Sequence, residues 1–285
     1  LYTLPLGLLI TKIRKKKVIF DAHESYSDML GLNVSAILKK GVFSVEKILI
    51  RHVDLLITVG EILEKEYQRK GAKKTCVVGN WKSMDTFRIP KETITAEKNR
   101  LNIPDDKLVV SFVGFFNQDR KILPLIEAAS TNKQVFLILA GTGELQKQII
   151  EKTKDCKNII FLGKFTSADI PLYTSISDVV YYGLDKNNPN SKYSTPNKLF
   201  EALAAGRALI TGNYGEIGRI VKEENCGIII DGDITSKKLN EVFDLLRYDG
   251  VLHNYRMNAL MAAERKYNWK RAEQTLLQKY CQIMG

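Results

Sequence analysis

The chain has 285 residues, enough for two domains of ordinary size, and its 45% hydrophobic and 26% charged content describes a globular protein with a sizeable core and excludes a disordered one. Cys76, Cys156, Cys226 and Cys281 are scattered without a CxxC pair and are accompanied only by His23, His52 and His253, which excludes a standard zinc site and points to reduced thiols in the cytoplasm. The net charge is +11, yet no nucleic-acid module and no interleaving of basic and aromatic residues goes with it, so nucleic acid is not expected as a partner.

No apolar run reaches the roughly 20 residues that a membrane helix needs. The opening LYTLPLGLLITKIRKKK puts a short apolar stretch before its basic residues, the reverse of a secretory signal, and lacks an initiating Met, so a longer natural chain is expected. Residues 1–85 hold 15 Lys and Arg against 9 Asp and Glu. KIRKKK at 12–17 either meets anionic lipid or phosphate or ends a solvated helix, its lysines complementing the dipole.

KVIFDAH (17–23), LLITVG (55–60) and TCVVGN (75–80) read as strands, with helical stretches such as AILKKGVFSVEKILIRHV between them. Near-continuous apolar strands of this kind belong in parallel sheets covered on both faces. WKSMDTFRIPKE, polar and without period, reads as a linker. A second α/β series follows, with strands at 108–116, 135–143, 158–164, 178–184, 207–212 and 226–231, and helices at KILPLIEAAS, ELQKQIIEKTKD, ADIPLYTSIS, PNKLFEALAAG and EIGRIVKEE. Such alternation implies a doubly wound parallel sheet whose ligand edge is formed by the strand carboxyl ends, where Gly114, Gly141, Gly143, Gly163, Gly183 and Gly212 gather.

Two patterns are discounted. AGTGE carries only part of the dinucleotide fingerprint, with no acidic residue ending the next strand. Asp231 and Asp233 resemble a metal-binding DxD, but they sit in a glycine turn before a helix, where aspartates cap.

The stretch STPNKLFEALAAG is a helix start. Pro196 suits the first turn, Ser194 or Thr195 can cap, Leu199, Phe200, Leu203 and Ala204 share one face, and Gly206 is placed to end the helix. The preceding DKNNPNSKYS is a polar stretch that no core is expected to take up. Unpaired backbone N–H groups, the helix dipole and Lys198 make this start suited to an anion such as phosphate, the alternative being an ordinary capped helix.

Taken together, FDAHESY, VVGNWKSMDTF, VGFFNQDRKILPLIEAA, LILAGTGE, IIFLGKFTSADIPLYTSISDVV, STPNKLFEALAAGRALITG, CGIIIDGD and ERKYNWKRAEQTLL resemble the retaining GT-B glycosyltransferases of family 4 in order and spacing over nearly the whole chain. The resemblance implies two Rossmann-like α/β domains around a cleft. Residues 1–84 would form a partial acceptor-side domain lacking its first strands, 85–266 the nucleotide-sugar domain, and 267–285 a helix crossing back to the first. It also implies roles. Gly114 would let the loop to Arg120 and Lys121 approach a diphosphate, which Arg120 would hold and stabilise as it departs. Pro196, Asn197 and Lys198 would form the other half of that cradle, and Glu201 would accept from the ribose hydroxyls. Gly141, Gly143 and Glu144 match a turn of the family, and Gly163, Lys164 and Phe165 fall where the base is held, although plain αβ turns explain them equally. His23, at a strand end, would bind a hydroxyl or the developing charge of the transferring sugar, with Asp21 and Glu24 holding its loop.

Two departures stand out. Tyr193 replaces a second glutamate that contacts the donor sugar, and Phe115 and Phe116 stand where an arginine is usual. The expectation is therefore a cytoplasmic glycosyltransferase, peripheral on the inner face of the membrane, acting without an obligate metal or cofactor. It would move a sugar from a nucleotide-diphosphate donor to a saccharide or lipid-linked acceptor in surface polysaccharide synthesis. A nucleotide-sugar epimerase of the same fold and a non-catalytic nucleotide-binding or scaffolding subunit are the rivals.

Overall fold

The computed structural model describes residues 3–30, 34–248 and 250–284. Its chain divides into two compact units, Leu1–Trp81 with Lys186–Thr195 and Trp269–Gly285, and Lys82–Asp185 with Pro196–Asn268. Each is an α/β unit built on a parallel sheet, the fold class that the alternating pattern implies.

The first unit runs α1 (Leu4–Arg14), β1 (Ile19–Ala22), α2 (Tyr26–Met29), α3 (Ala36–Ile50), β2 (Leu55–Thr58), α4 (Glu61–Arg69) and β3 (Thr75–Val77). Among the described residues its strands order β1-β2-β3, and β2, flanked on both sides, is buried throughout, which is why LLIT reads as an unbroken apolar run. Pro5 sits in the first turn of α1, and the helix ends at Lys15 in the left-handed conformation, with basic residues in its last turn.

The packing of α3 runs against its composition. It buries Glu46 while Ile37, Leu38, Val45 and Ile48 are exposed. Glu46 is accepted inside because Lys70, at the end of α4, donates to its Oε2 at 2.7 Å, both side chains being fully buried. Lys70 Nζ also donates to Ser25 Oγ and Ser27 Oγ at 3.0 Å each, and Tyr67 Oη reaches Glu46 Oε1 at 3.2 Å and the Glu24 carbonyl at 2.9 Å. A buried charge is tolerated when it is paired and its remaining protons find acceptors, as here.

The second unit continues with α5 (Lys91–Arg100), β4 (Leu108–Phe115), α6 (Ile122–Thr131), β5 (Val135–Thr142), α7 (Gln146–Thr153), β6 (Ile159–Phe161), α8 (Ile170–Ser175), β7 (Val179–Tyr182), α9 (Asn197–Ala204), β8 (Ala208–Gly212), α10 (Gly215–Glu223), β9 (Gly227–Ile230), α11 (Ser236–Leu246) and α12 (Val251–Arg265). The strand order β6-β5-β4-β7-β8-β9 places the switch of winding direction between β4 and β7. In such sheets the crevice outside the carboxyl ends at the switch is where ligands bind.

A 3-10 turn at Pro189–Tyr193 and the last helix, α13 (Trp269–Met284), belong to the first unit. Ile283 of α13 packs with Leu55, Ile57 and Cys76.

Several expectations are corrected. DKNNPNSKYS is not shunned by a core: Tyr193 is buried with Ile50, Leu56 and Leu63, and its hydroxyl donates to Asp28 Oδ2 at 2.8 Å, so the ring is apolar filling and the hydroxyl has its acceptor. WKSMDTFRIPKE is not a bare linker either. From Lys82 onward it is part of the second unit, with a 3-10 turn at Met84–Phe87 that buries Phe87 and packs against α8 and α9. Neither Ser194 nor Thr195 caps α9; Pro196 is the N-cap residue, and no side chain caps the helix. Gly206, by contrast, follows α9 at φ +60°, where the left-handed turn closes the helix as its position implies. The DGD aspartates do not cap α11. Thr235 Oγ1 accepts from Lys238 N, while Asp231 Oδ1 accepts from Asn213 Nδ2 at 2.6 Å.

Candidate functional site

The loops after β4, β5 and β6 are tied to one another at the carboxyl edge of the second unit's sheet. Phe116 N donates to Thr142 O at 2.8 Å, Leu145 N to Phe116 O at 3.1 Å and Gly141 N to Gly163 O at 2.8 Å. Close approach requires glycine: a Cβ on Gly141 would lie 1.8 Å from the Gly114 carbonyl oxygen, and one on Gly143 2.4 Å from the Phe116 carbonyl oxygen. Glu144 is exposed and accepts from Gln118 N at 3.1 Å, so its carboxylate holds the loop that leads to Arg120. Lys164 is exposed, and Phe165 is half-buried with the Lys198 ammonium 5.8 Å from its ring centroid.

That loop crosses from β4 to the end of β7. Tyr181 Oη lies 3.2 Å from the Arg120 carbonyl and 2.9 Å from that of Lys121, while the Arg120 guanidinium lies over the Tyr182 ring at 4.7 Å. Stacking on an aromatic face orients a planar guanidinium and leaves its edge donors to other groups. Lys121 is engaged differently. It takes the left-handed conformation at φ 51° before α6, and its ammonium pairs with Asp185 at 2.8 Å. Phe116, at one of the positions where the resemblance leads one to expect an arginine, is fully buried, whereas Phe115 is 61% exposed.

At the head of α9 the charges converge. Glu201 is only 4% exposed, and its Oε2 receives the Lys198 ammonium at 2.6 Å. Lys82 Nζ lies 3.9 Å from Glu201 Oε1 and donates to Asn197 Oδ1 at 2.8 Å. Burial pushes the Lys82 ammonium below the ordinary lysine range; Glu201 opposes that fall and Lys198 adds to it. Lys82 carries no signal in the sequence, because it lies in the stretch without period. Asn197, Lys198 and Glu201, which sequence reasoning singles out, are brought together with it. Asp185, the partner of Lys121, is equally invisible beforehand.

In the first unit, His23 follows β1 and is exposed. Its Nε2 lies 3.5 Å from Asp21 Oδ2, and both side chains face solvent. The loop after it is held from beneath by the Lys70, Glu46 and Tyr67 network, through Glu24 O, Ser25 and Ser27.

Residues 93–261, more than half of the chain, match the family described as glycosyl transferases group 1. Among relatives, the chitobiosyldiphosphodolichol beta-mannosyltransferase of Debaryomyces hansenii is 24% identical over 90% of this chain and 61% of its own length. The chain spans about three-fifths of the length of the curated relatives it matches. Solved structures share the fold, among them Alr3699/HepE of Anabaena in complex with UDP, which at TM-score 0.80 and 16% identity covers 99% of this chain and 76% of its own. WaaG, a glycosyltransferase involved in lipopolysaccharide biosynthesis, gives a TM-score of 0.68 at 15% identity, over 90% of this chain and 73% of its own.

Proposed function

Because the chain belongs to the glycosyl transferases group 1 family, we propose that it transfers a sugar from a nucleotide-diphosphate donor to a saccharide or lipid-linked acceptor, in the synthesis of a surface polysaccharide or glycolipid. The observation that carries this reading is the charged head of α9, where Lys198 and buried Glu201 meet at the carboxyl edge of a doubly wound sheet. The neighbour solved with UDP and the relatives named for glycan synthesis support the donor and acceptor classes.

In this reading Glu201 accepts from the ribose hydroxyls. Lys198, Asn197 and the backbone N–H groups at the start of α9 hold the diphosphate, and Arg120 contributes a bidentate contact. As the bond from the sugar's anomeric carbon to the phosphate oxygen breaks, negative charge grows on the diphosphate, and these donors stabilise it. The acceptor hydroxyl forms the new bond on the same face and passes its proton to the diphosphate, which retains configuration. His23 binds a sugar hydroxyl. The product's anomeric configuration, read by proton NMR, tests retention. Release of nucleoside diphosphate only when an acceptor is present tests transfer itself; interconversion of donor sugars without acceptor would instead mark an epimerase, and binding without turnover a non-catalytic subunit.

Contact with an anionic membrane surface belongs to the same reading. Leu9 and Ile13 of α1 and Ile37 and Ile48 of α3 are 57%, 73%, 85% and 58% exposed, with Lys12 and Arg14 in the last turn of α1 and Lys39 and Lys40 on α3. Apolar side chains bordered by lysines fit anionic headgroups over acyl chains. The protein is expected to sediment with phosphatidylglycerol vesicles and to stay in the supernatant with phosphatidylcholine; equal behaviour with both would remove this part.

A further inference from the structure

The head of α9 carries one more cation than its carboxylate can neutralise. Glu201 offers Oε2 to Lys198 at 2.6 Å and Oε1 to Lys82 at 3.9 Å, so two ammonium groups share one carboxylate. Glu201 and Lys198 are largely withdrawn from water, with side-chain exposures of 5% and 12%, and Lys82 is partly so at 27%. A surplus charge held in this way is costly unless an anion completes it. The helix beneath points the same way, because no side chain caps α9 and its first turn keeps donors for an incoming oxygen.

We propose that Lys82 is a further binding residue for the donor, contacting the diphosphate alongside Lys198. The proposal rests on the glycosyltransferase reading and adds to it a cation from outside the helix. Lys82 acts in two ways. Its ammonium adds a positive charge to those of Lys198 and Arg120, and so offsets the charge of Glu201 where the diphosphate brings two negative charges. Its hydrogen bond to Asn197 Oδ1 at 2.8 Å also fixes the amide so that Nδ2 is left to donate to phosphate. The lysine is reached from the stretch before α5, so the donor site is assembled from the loops after β4 and β7 together with this third segment.

The test is calorimetry of UDP, GDP and ADP on the unaltered protein, followed by titration of the preferred diphosphate and of its parent nucleoside on Lys82→Met and Lys82→Arg. Nucleoside binding is followed by NMR, and folding of each variant by circular dichroism. The expected result is a loss of about tenfold or more in diphosphate affinity for Lys82→Met, as for one charge-assisted hydrogen bond. Nucleoside affinity stays unchanged, and Lys82→Arg recovers most of the loss. Unchanged diphosphate affinity in Lys82→Met overturns the role of Lys82 and leaves the transferase reading standing. An equal loss for nucleoside and diphosphate shows that Lys82 acts through structure alone and overturns it as well. Failure of the unaltered protein to bind any diphosphate overturns both.

Discussion

The two units use the same pairing of lysine with glutamate to opposite ends. In the first, Lys70 and Glu46 are fully buried, and each remaining polar contact goes to Ser25, Ser27 or Tyr67. In the second, Glu201 is shared between two lysines that keep some access to solvent. A neutral, sealed pair holds a fold, whereas the surplus cation at the helix head is the charge that the proposed donor site would use. The two clusters differ in stoichiometry and exposure, although their residue types are the same.

The strongest way to break the contrast is at the sealed pair. Lys70→Met leaves Glu46 buried and unpaired, and urea unfolding is expected to show a loss of about 3–5 kcal/mol, most of it regained in the double variant Lys70→Met with Glu46→Leu. A loss below 1 kcal/mol in the single variant would mean that the network is not structural. On the open side the effect is smaller and depends on pH. Lys82 titrates below its ordinary 10.5 because burial disfavours its charged form. A bound diphosphate favours that charged form, so affinity is expected to fall as pH rises through the lowered value, at less alkaline pH than an ordinary lysine would give. In Lys82→Met this part of the fall should vanish, as calorimetry across alkaline buffers would show. The smallest effect concerns the thiols. Burial pushes Cys76 up to about 11 and Cys226 up to about 12, so both stay protonated at neutral pH, and a thiol-exchange assay should modify exposed Cys281 and half-buried Cys156 well before them.

The alternation of strands and helices is legible because strands in a parallel sheet are apolar on both faces, so runs such as LLIT and VFLILAG stand out from their surroundings. The α9 cluster is half legible. Asn197, Lys198 and Glu201 lie within one helical turn and a known pattern, whereas Lys82 meets them only through folding across 115 residues to Asn197. Lys70 is illegible for a related reason: EILEKEYQRK looks like a solvated charged helix, and nothing local reveals that Glu46, 24 residues away, takes its charge. Tyr193 was hidden by the polar residues around it, since one ring can enter a core while its neighbours stay outside.

The most direct measurement is calorimetric titration of UDP, GDP and ADP into the unaltered protein and into Glu201→Ala. Binding of one diphosphate is expected, weakened by about 1.5–3 kcal/mol, or roughly tenfold to a hundredfold, when the carboxylate proposed to receive the ribose hydroxyls is removed. Equal affinity in the two proteins would contradict a donor site at the head of α9.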